Sequence, residues 1–164
     1  MSRQTWLAAA LAALAALFLP ACDYGNLKSI QPGITTSAEV RARMGAPAAE
    51  YRNGDGTVTW EYNRQPGGIE CHMITFGPDL VVLRVEQVLT EANFARVREG
   101  MDREQVQRLL GHPGSVTTYE RLGEEVWDWR VAGTLPTEEA HFHVHFDVGT
   151  GLVKKTSRRV EARG

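Results

Sequence analysis

Residues 33–47 read GITTSAEVRARMGAP and residues 100–113 read GMDREQVQRLLGHP, and the likeness of these two stretches decides the fold. Gly33 answers to Gly100 at an offset of 67, and Val40, Met44, Gly45 and Pro47 answer to Val106, Leu110, Gly111 and Pro113 at an offset of 66. The correspondence continues outward: Trp60 and Tyr62 match Trp127 and Trp129, and Phe76 matches Phe146. So many landmarks in one order mark an internal repeat, and a repeat has to be recognised before any local motif is interpreted. Within each copy the stretch predicts a short capped helix. Thr36 followed by Glu39, and Asp102 followed by Gln105, have the spacing of a capping box, in which a side-chain oxygen accepts from an early backbone N–H and the later side chain reaches back. Val40 and Met44, like Val106 and Leu110, are four apart and share a helical face. Gly45 and Gly111 stand where a left-handed residue would end the helix, and Pro47 and Pro113 stand where it cannot continue. Upstream, Leu27–Ile30 and Glu91–Val97 can each form a preceding short helix.

Past each helix the apolar period changes to two, the mark of half-buried strands. Val58, Trp60 and Tyr62 share a strand face after the turn Asn53-Gly54-Asp55-Gly56. Ile69–Phe76 and Leu80–Leu89 follow, joined by Gly77-Pro78-Asp79. In the second copy Glu125–Val131, Ala140–Val148 and Leu152–Val160 take the same parts, with Gly149-Thr150-Gly151 as the last turn. The predicted class is α+β: two tandem repeats, each a short helix pair packed on an antiparallel meander of three or four strands. Neither repeat would bury much core alone.

The chain has 164 residues, 43% of them apolar and 23% charged, as in ordinary globular proteins. Its 18 Lys and Arg against 20 Asp and Glu give no basic field to hold a phosphate backbone, so nucleic acid is not an expected partner. Cys22 and Cys71 are the only cysteines, too few for a disulfide framework.

The amino terminus carries Arg3 and an apolar run from Trp6 to Leu19, too short for a bilayer span and of the right length for a secretory leader. The run ends in Leu19-Pro20-Ala21-Cys22, which resembles the bacterial lipobox, with Pro20 in place of the usual small residue. In such a leader the cysteine thiol receives diacylglycerol before cleavage. Alternatives are cleavage after Ala21 with Cys22 and Cys71 paired, or an uncleaved anchor. Lipidation of Cys22 leaves Cys71 a lone thiol in an oxidising compartment, expected to be buried and inert. Asp23 resembles the signal that retains lipoproteins in the inner membrane of enteric bacteria.

The Gly33-Ile34-Thr35 and Gly100-Met101-Asp102 triplets, the helix ending in Gly-x-Pro and the aromatic strand after it resemble the SmpA/OmlA, or BamE-like, lipoprotein family. That resemblance spans the chain after Cys22 as two copies, the second fitting better. It implies a fold like that of the tandem-domain β-lactamase inhibitory protein. The domains expected are a lipoprotein signal peptide at 1–21, a tether at 22–29, and BamE-like repeats at 30–89 and 90–164. It also implies a non-enzymatic, lipid-anchored scaffold on the periplasmic face of the outer membrane, the inner membrane being left open by Asp23. Its partners would be envelope proteins, with the β-barrel assembly machine among them, and no cofactor is implied. The alternative is a periplasmic inhibitor or sensor that binds an enzyme or ligand on the concave surface between its sheets. The family motif residues Gly33, Val40, Gly45, Pro47, Trp60, Gly100, Met101, Val106, Leu110, Gly111, Pro113 and Trp127 are carried over as fold determinants; Ile34 and Met44 depart conservatively from the usual Met and Leu.

Among residues able to do chemistry, His141-Phe142-His143-Val144-His145 is prominent. On a strand its imidazoles line one side while Phe142, Val144 and Phe146 face the other. Adjacent imidazoles can chelate one metal, but the outer two have Cα atoms about 13 Å apart and cannot share a tetrahedral site, so a third ligand must come from another strand. A polar solvent face over an apolar core face is the competing reading. Cys71 and His72 lack a second cluster to complete a zinc site. His112, between Gly111 and Pro113, is expected to be exposed. Gly67-Gly68 is a turn, and neither a nucleophilic triad nor a zincin helix is present. At least one of Trp60 and Tyr62, and of Trp127 and Trp129, should lie inside. Lys154, Lys155, Arg158, Arg159 and Arg163, interrupted by Glu161, read as a solvated strand edge.

Overall fold

The computed structural model describes residues 23–162, so the expected leader, Cys22 and Arg163 lie outside the described residues. Two short helices, α1 (Asp23–Lys28) and α2 (Ser37–Met44), precede strands β1 (Ala49–Arg52), β2 (Val58–Asn63), β3 (Cys71–Phe76) and β4 (Val82–Gln87). The order then repeats as α3 (Glu91–Phe94), α4 (Arg103–Leu110), β5 (Ser115–Tyr119), β6 (Glu124–Val131), β7 (Glu138–Asp147) and β8 (Val153–Ala162). Each quartet forms an antiparallel four-stranded sheet in sequence order, which is the α+β tandem architecture the repeat implied. The opening strands β1 and β5 are the elements without a sequence signal. Both are edge strands, short and mostly polar, and a sheet edge needs no apolar alternation.

Both capping boxes form. Thr36 N–H donates to Glu39 at 2.8 Å and Asp102 N–H to Gln105 at 2.9 Å, each returned by a backbone N–H to the cap side chain. The loop before each helix is tied to the last strand of its own sheet: Gly33 N–H donates to the Val82 carbonyl at 2.7 Å and Gly100 N–H to the Val153 carbonyl at 2.9 Å. Val40, Val106 and Leu110 are fully buried and Met44 partly so. Within the segment expected as a tether, Asp23–Lys28 form α1, where Leu27 packs on the first core and the Asn26 side-chain amide donates to the Arg43 carbonyl.

The first sheet is buried on both sides. Trp60, Ile74, Phe76 and Val82 meet Ile30 and Val40 on one side, while Cys71 and Met73 on the other join the core built on Val106, Leu110, Trp129, Phe142 and Phe146. Helices α3 and α4 therefore lie between the sheets, and Phe94 stacks on Phe142 at 4.3 Å between ring centres. The space expected to be a concave binding surface holds these helices, which leave a polar groove beside Tyr51, Thr59 and Arg108.

The junction turns on Glu61, a fully buried carboxylate. It accepts from the Tyr51 hydroxyl at 2.7 Å, the Asn63 amide at 2.8 Å and the His112 backbone N–H at 2.8 Å, with His112 Nδ1 at 2.9 Å. Glu61 thus binds the chain leaving α4 to the first sheet. His112 is exposed as expected, yet its Nδ1 lies on this carboxylate and its Nε2 against the Gln107 side-chain amide. Gly111 ends α4 with φ 77° and ψ −177°, which corrects the left-handed helical conformation expected there: φ is positive, but ψ is extended, a combination open essentially to glycine alone.

Candidate functional site

The outer face of the second sheet is the one sheet face against which no described helix packs. Alternation along β7 puts Ala140, Phe142, Val144 and Phe146 into the core and His141, His143 and His145 on this face, each imidazole about one-sixth exposed. The neighbouring strand supplies carboxylates. Trp127 and Trp129 point inward, so Asp128 between them points outward, directly opposite His143 in the β6–β7 register. Asp128 Oδ1 lies 2.8 Å from His141 Nδ1 and its Oδ2 lies 2.7 Å from His143 Nε2. Glu124, at the start of β6, takes the third imidazole: its Oε2 lies 3.0 Å from His145 Nδ1, and the other side of that ring is 2.9 Å from Ser157 Oγ on β8.

Glu124 is buried, and its carboxyl is held down to about 2, first by the hydrogen bond to His145 and next by Lys154, whose Nζ is 3.1 Å away. The three histidines are therefore not one site. His141 and His143 share Asp128, whereas His145 belongs to Glu124. The histidine alternation was visible in sequence, while the carboxylates were missed; the signal was the Trp-Asp-Trp alternation at 127–129, which requires Asp128 to face the other way from two core indoles.

The remaining residues singled out in sequence have structural surroundings. Cys71 is fully buried, and burial pushes its thiol well above the ordinary range. Burial lowers His72, which lies on the opposite side of β3 from Cys71. Trp60 packs edge-on to Phe76 at 4.7 Å beneath the Arg41 guanidinium, and Trp127 packs on Phe146 at 4.8 Å. Tyr62 is half-buried and its hydroxyl, raised to about 12 by burial, donates to the Gly45 carbonyl. Met101 packs on the larger core, and Pro47 and Pro113 are half-buried beside the helix ends. On the edge strand β8, Lys154 and Lys155 pair with Glu124, Arg158 with Glu91, and Arg159 with Glu161. Gly67 and Gly68 lie in the turn between β2 and β3. No helix among the described residues is long and apolar enough to cross a membrane.

Residues 86–156, which run from the end of β4 into β8, match the Outer membrane protein assembly factor BamE domain. That match falls on the second repeat, and the first repeats its element order, its caps and its loop-to-last-strand ties. No curated protein matches the chain. Among solved structures it is similar to a candidate beta-lactamase inhibitor protein from Streptococcus mutans, at 13% identity over 76% of this chain and 82% of that one, with a TM-score of 0.33. A DUF4309 family protein, YjgB, from Bacillus subtilis is similar at 15% identity over 82% and 83%, with a TM-score of 0.32.

Proposed function

We propose that the protein is a lipid-anchored, non-enzymatic scaffold on the periplasmic face of the outer membrane, working in β-barrel assembly or envelope integrity. The BamE domain match over residues 86–156 carries this reading. The short leader and the cysteine of Leu19-Pro20-Ala21-Cys22 support the anchor, because several acyl chains at about 0.8 kcal/mol per buried methylene hold a domain to a leaflet durably. On this reading residues 1–21 are removed, Cys22 is acylated, and the repeats at 30–89 and 90–164 act as one interaction body. Their partners are envelope proteins, the β-barrel assembly machine among them.

The test has two arms. Mass spectrometry of the protein from membranes should find Cys22 as an acylated first residue, and Cys22→Ala should leave the membrane fraction. An unmodified chain with a Cys22–Cys71 disulfide refutes the anchor. Deletion should lower the levels of β-barrel proteins in the outer membrane, restored by the wild type and not by Cys22→Ala. If deletion leaves those levels unchanged and releases the activity of a periplasmic enzyme, the protein is an inhibitor instead. Density-gradient separation of the two membranes decides whether Asp23 retains the protein in the inner one.

A further inference from the structure

We propose that Asp128, His141 and His143 form a binding site for a divalent transition cation, with zinc the best fit. The three side chains each offer one ligand atom, and these atoms lie within 4.8 Å of one another. Ligands at about 2.0–2.2 Å around a tetrahedral zinc stand roughly 3.3 Å apart, so side-chain rotations of an ångström or so close the site without moving the backbone. The backbone is well placed to stay still. Asp128 and His143 are paired residues of adjacent central strands, and His141 lies two residues before His143 on the same face.

The nitrogens turned away from Asp128 also have partners. His143 Nδ1 lies 3.4 Å from Ser157 Oγ, and His141 Nε2 lies 3.6 Å from Glu139 Oε1. A metal-bound imidazole carries its proton on the nitrogen away from the metal and gives it to such a group, which fixes the ring's orientation. On binding, each imidazole N–H that now points at Asp128 is lost, and in the neutral ring the proton reappears on the other nitrogen, facing Ser157 or Glu139. The His141 and His143 side chains are each 17% exposed and that of Asp128 23%, shielded yet reached by solvent, so water completes the coordination. Two imidazoles and one carboxylate select a late first-row cation over calcium or magnesium, which take oxygen ligands.

The fold itself does not require these ligands. In the repeat alignment Glu61 stands where Asp128 stands, and the strand partners Cys71 and Met73 occupy the places of His141 and His143. The first repeat thus builds the same sheet with apolar neighbours around its acid, satisfying that acid with Tyr51, Asn63 and His112.

The experiment uses untagged full-length protein in detergent, stripped with a chelator and titrated with zinc chloride by calorimetry. Cobalt is substituted in parallel for its visible spectrum. Expected are one zinc per chain, the intense bands of tetrahedral cobalt, and a zinc-dependent rise in thermal midpoint. Asp128→Asn and His143→Gln should each weaken binding about ten-fold or more and abolish the rise, while His72→Gln and His145→Gln leave both in place. Circular dichroism checks that each variant folds, with His141→Gln in reserve. No saturation by roughly 100 μM zinc overturns the proposal. So does binding that persists in the Asp128→Asn/His143→Gln double variant, or that His145→Gln removes as fully as Asp128→Asn.

Discussion

Replacing Gly111 by alanine should cost far more than replacing its counterpart Gly45, although the two end equivalent helices in nearly the same conformation. Gly45 has φ 79° and ψ −165°, and Gly111 has φ 77° and ψ −177°, so alanine is strained at either by about 1–3 kcal/mol. The surroundings separate them. A Cβ on Gly45 meets nothing within 4 Å. On Gly111 it would collide with Cys71 Sγ, and would come within 3.0 Å of Glu61 Oε1 and 3.2 Å of Glu61 Cδ. All three atoms sit on fully buried side chains with no room to retreat, and overpacking of that kind costs about 1–3 kcal/mol more. Gly111→Ala should therefore exceed Gly45→Ala by about 1–3 kcal/mol, or roughly 2–12 °C in midpoint for a chain of this size. The assay is urea unfolding followed by tryptophan fluorescence, since Trp60 reports the first repeat and Trp127 and Trp129 the second. Removing the colliding sulfur adds a control. In the double-mutant cycle with Cys71→Ala, the penalty of Gly111→Ala should shrink, with a coupling of about 0.5–3 kcal/mol. Equal penalties at Gly45 and Gly111 together with strict additivity would refute the close approach of α4 to the first sheet.

Glu61→Ala strands the Tyr51, Asn63 and His112 donors and opens a cavity, so it should destabilise by about 3–5 kcal/mol, with Glu61→Gln milder; urea unfolding measures both. Glu124 has its carboxyl pKa lowered from 4.5 to about 2 in the fold, so its contribution is complete above the ordinary carboxylate range and is lost as the pH falls toward about 2. Stability of Glu124→Gln should accordingly fall less steeply with acid over that window, as read from urea midpoints. Cys71 should resist maleimide in the folded protein and react once urea unfolds it, because its thiol is buried and its pKa is raised.

The parts of the fold legible in sequence are those fixed by local chemistry. Thr36 with Glu39, Asp102 with Gln105, and the glycines after Met44 and Leu110 act within a turn of their own positions, so spacing alone reveals them. The strands Val58–Asn63 and Glu138–Asp147 declare themselves through apolar residues two apart. What stayed hidden depends on partners distant in sequence. Glu61 and His112 are 51 residues apart, and nothing local in either says that a helix end from the second repeat reaches a carboxylate in the first. Asp128 was likewise invisible as a partner of His141 and His143 until the β6–β7 register brought it opposite them. The edge strands Ala49–Arg52 and Ser115–Tyr119 are held by backbone pairing rather than by an apolar pattern of their own.

One contrast between the copies did lie in the sequence and becomes interpretable only with the packing. Strand β3, Cys71–Phe76, is buried at every position but His72, whereas β7 alternates between half-buried and buried residues from Glu139 onward. A strand covered on both faces reads as a continuous apolar run and one covered on a single face alternates. The first sheet receives the helices of the following repeat on its outer side, so Cys71 and Met73 belong to a core. No described helix packs on the outer face of the second sheet, and there the same positions carry His141 and His143. The acid that both repeats place opposite these residues is therefore put to two uses. As Glu61 it is closed off from water and joins the repeats, and as Asp128 it stays within reach of solvent between two imidazoles. Among the described residues the outer face of the second sheet is the one no helix covers, and substitutions that leave the junction at Glu61 untouched can probe that face without unfolding the chain.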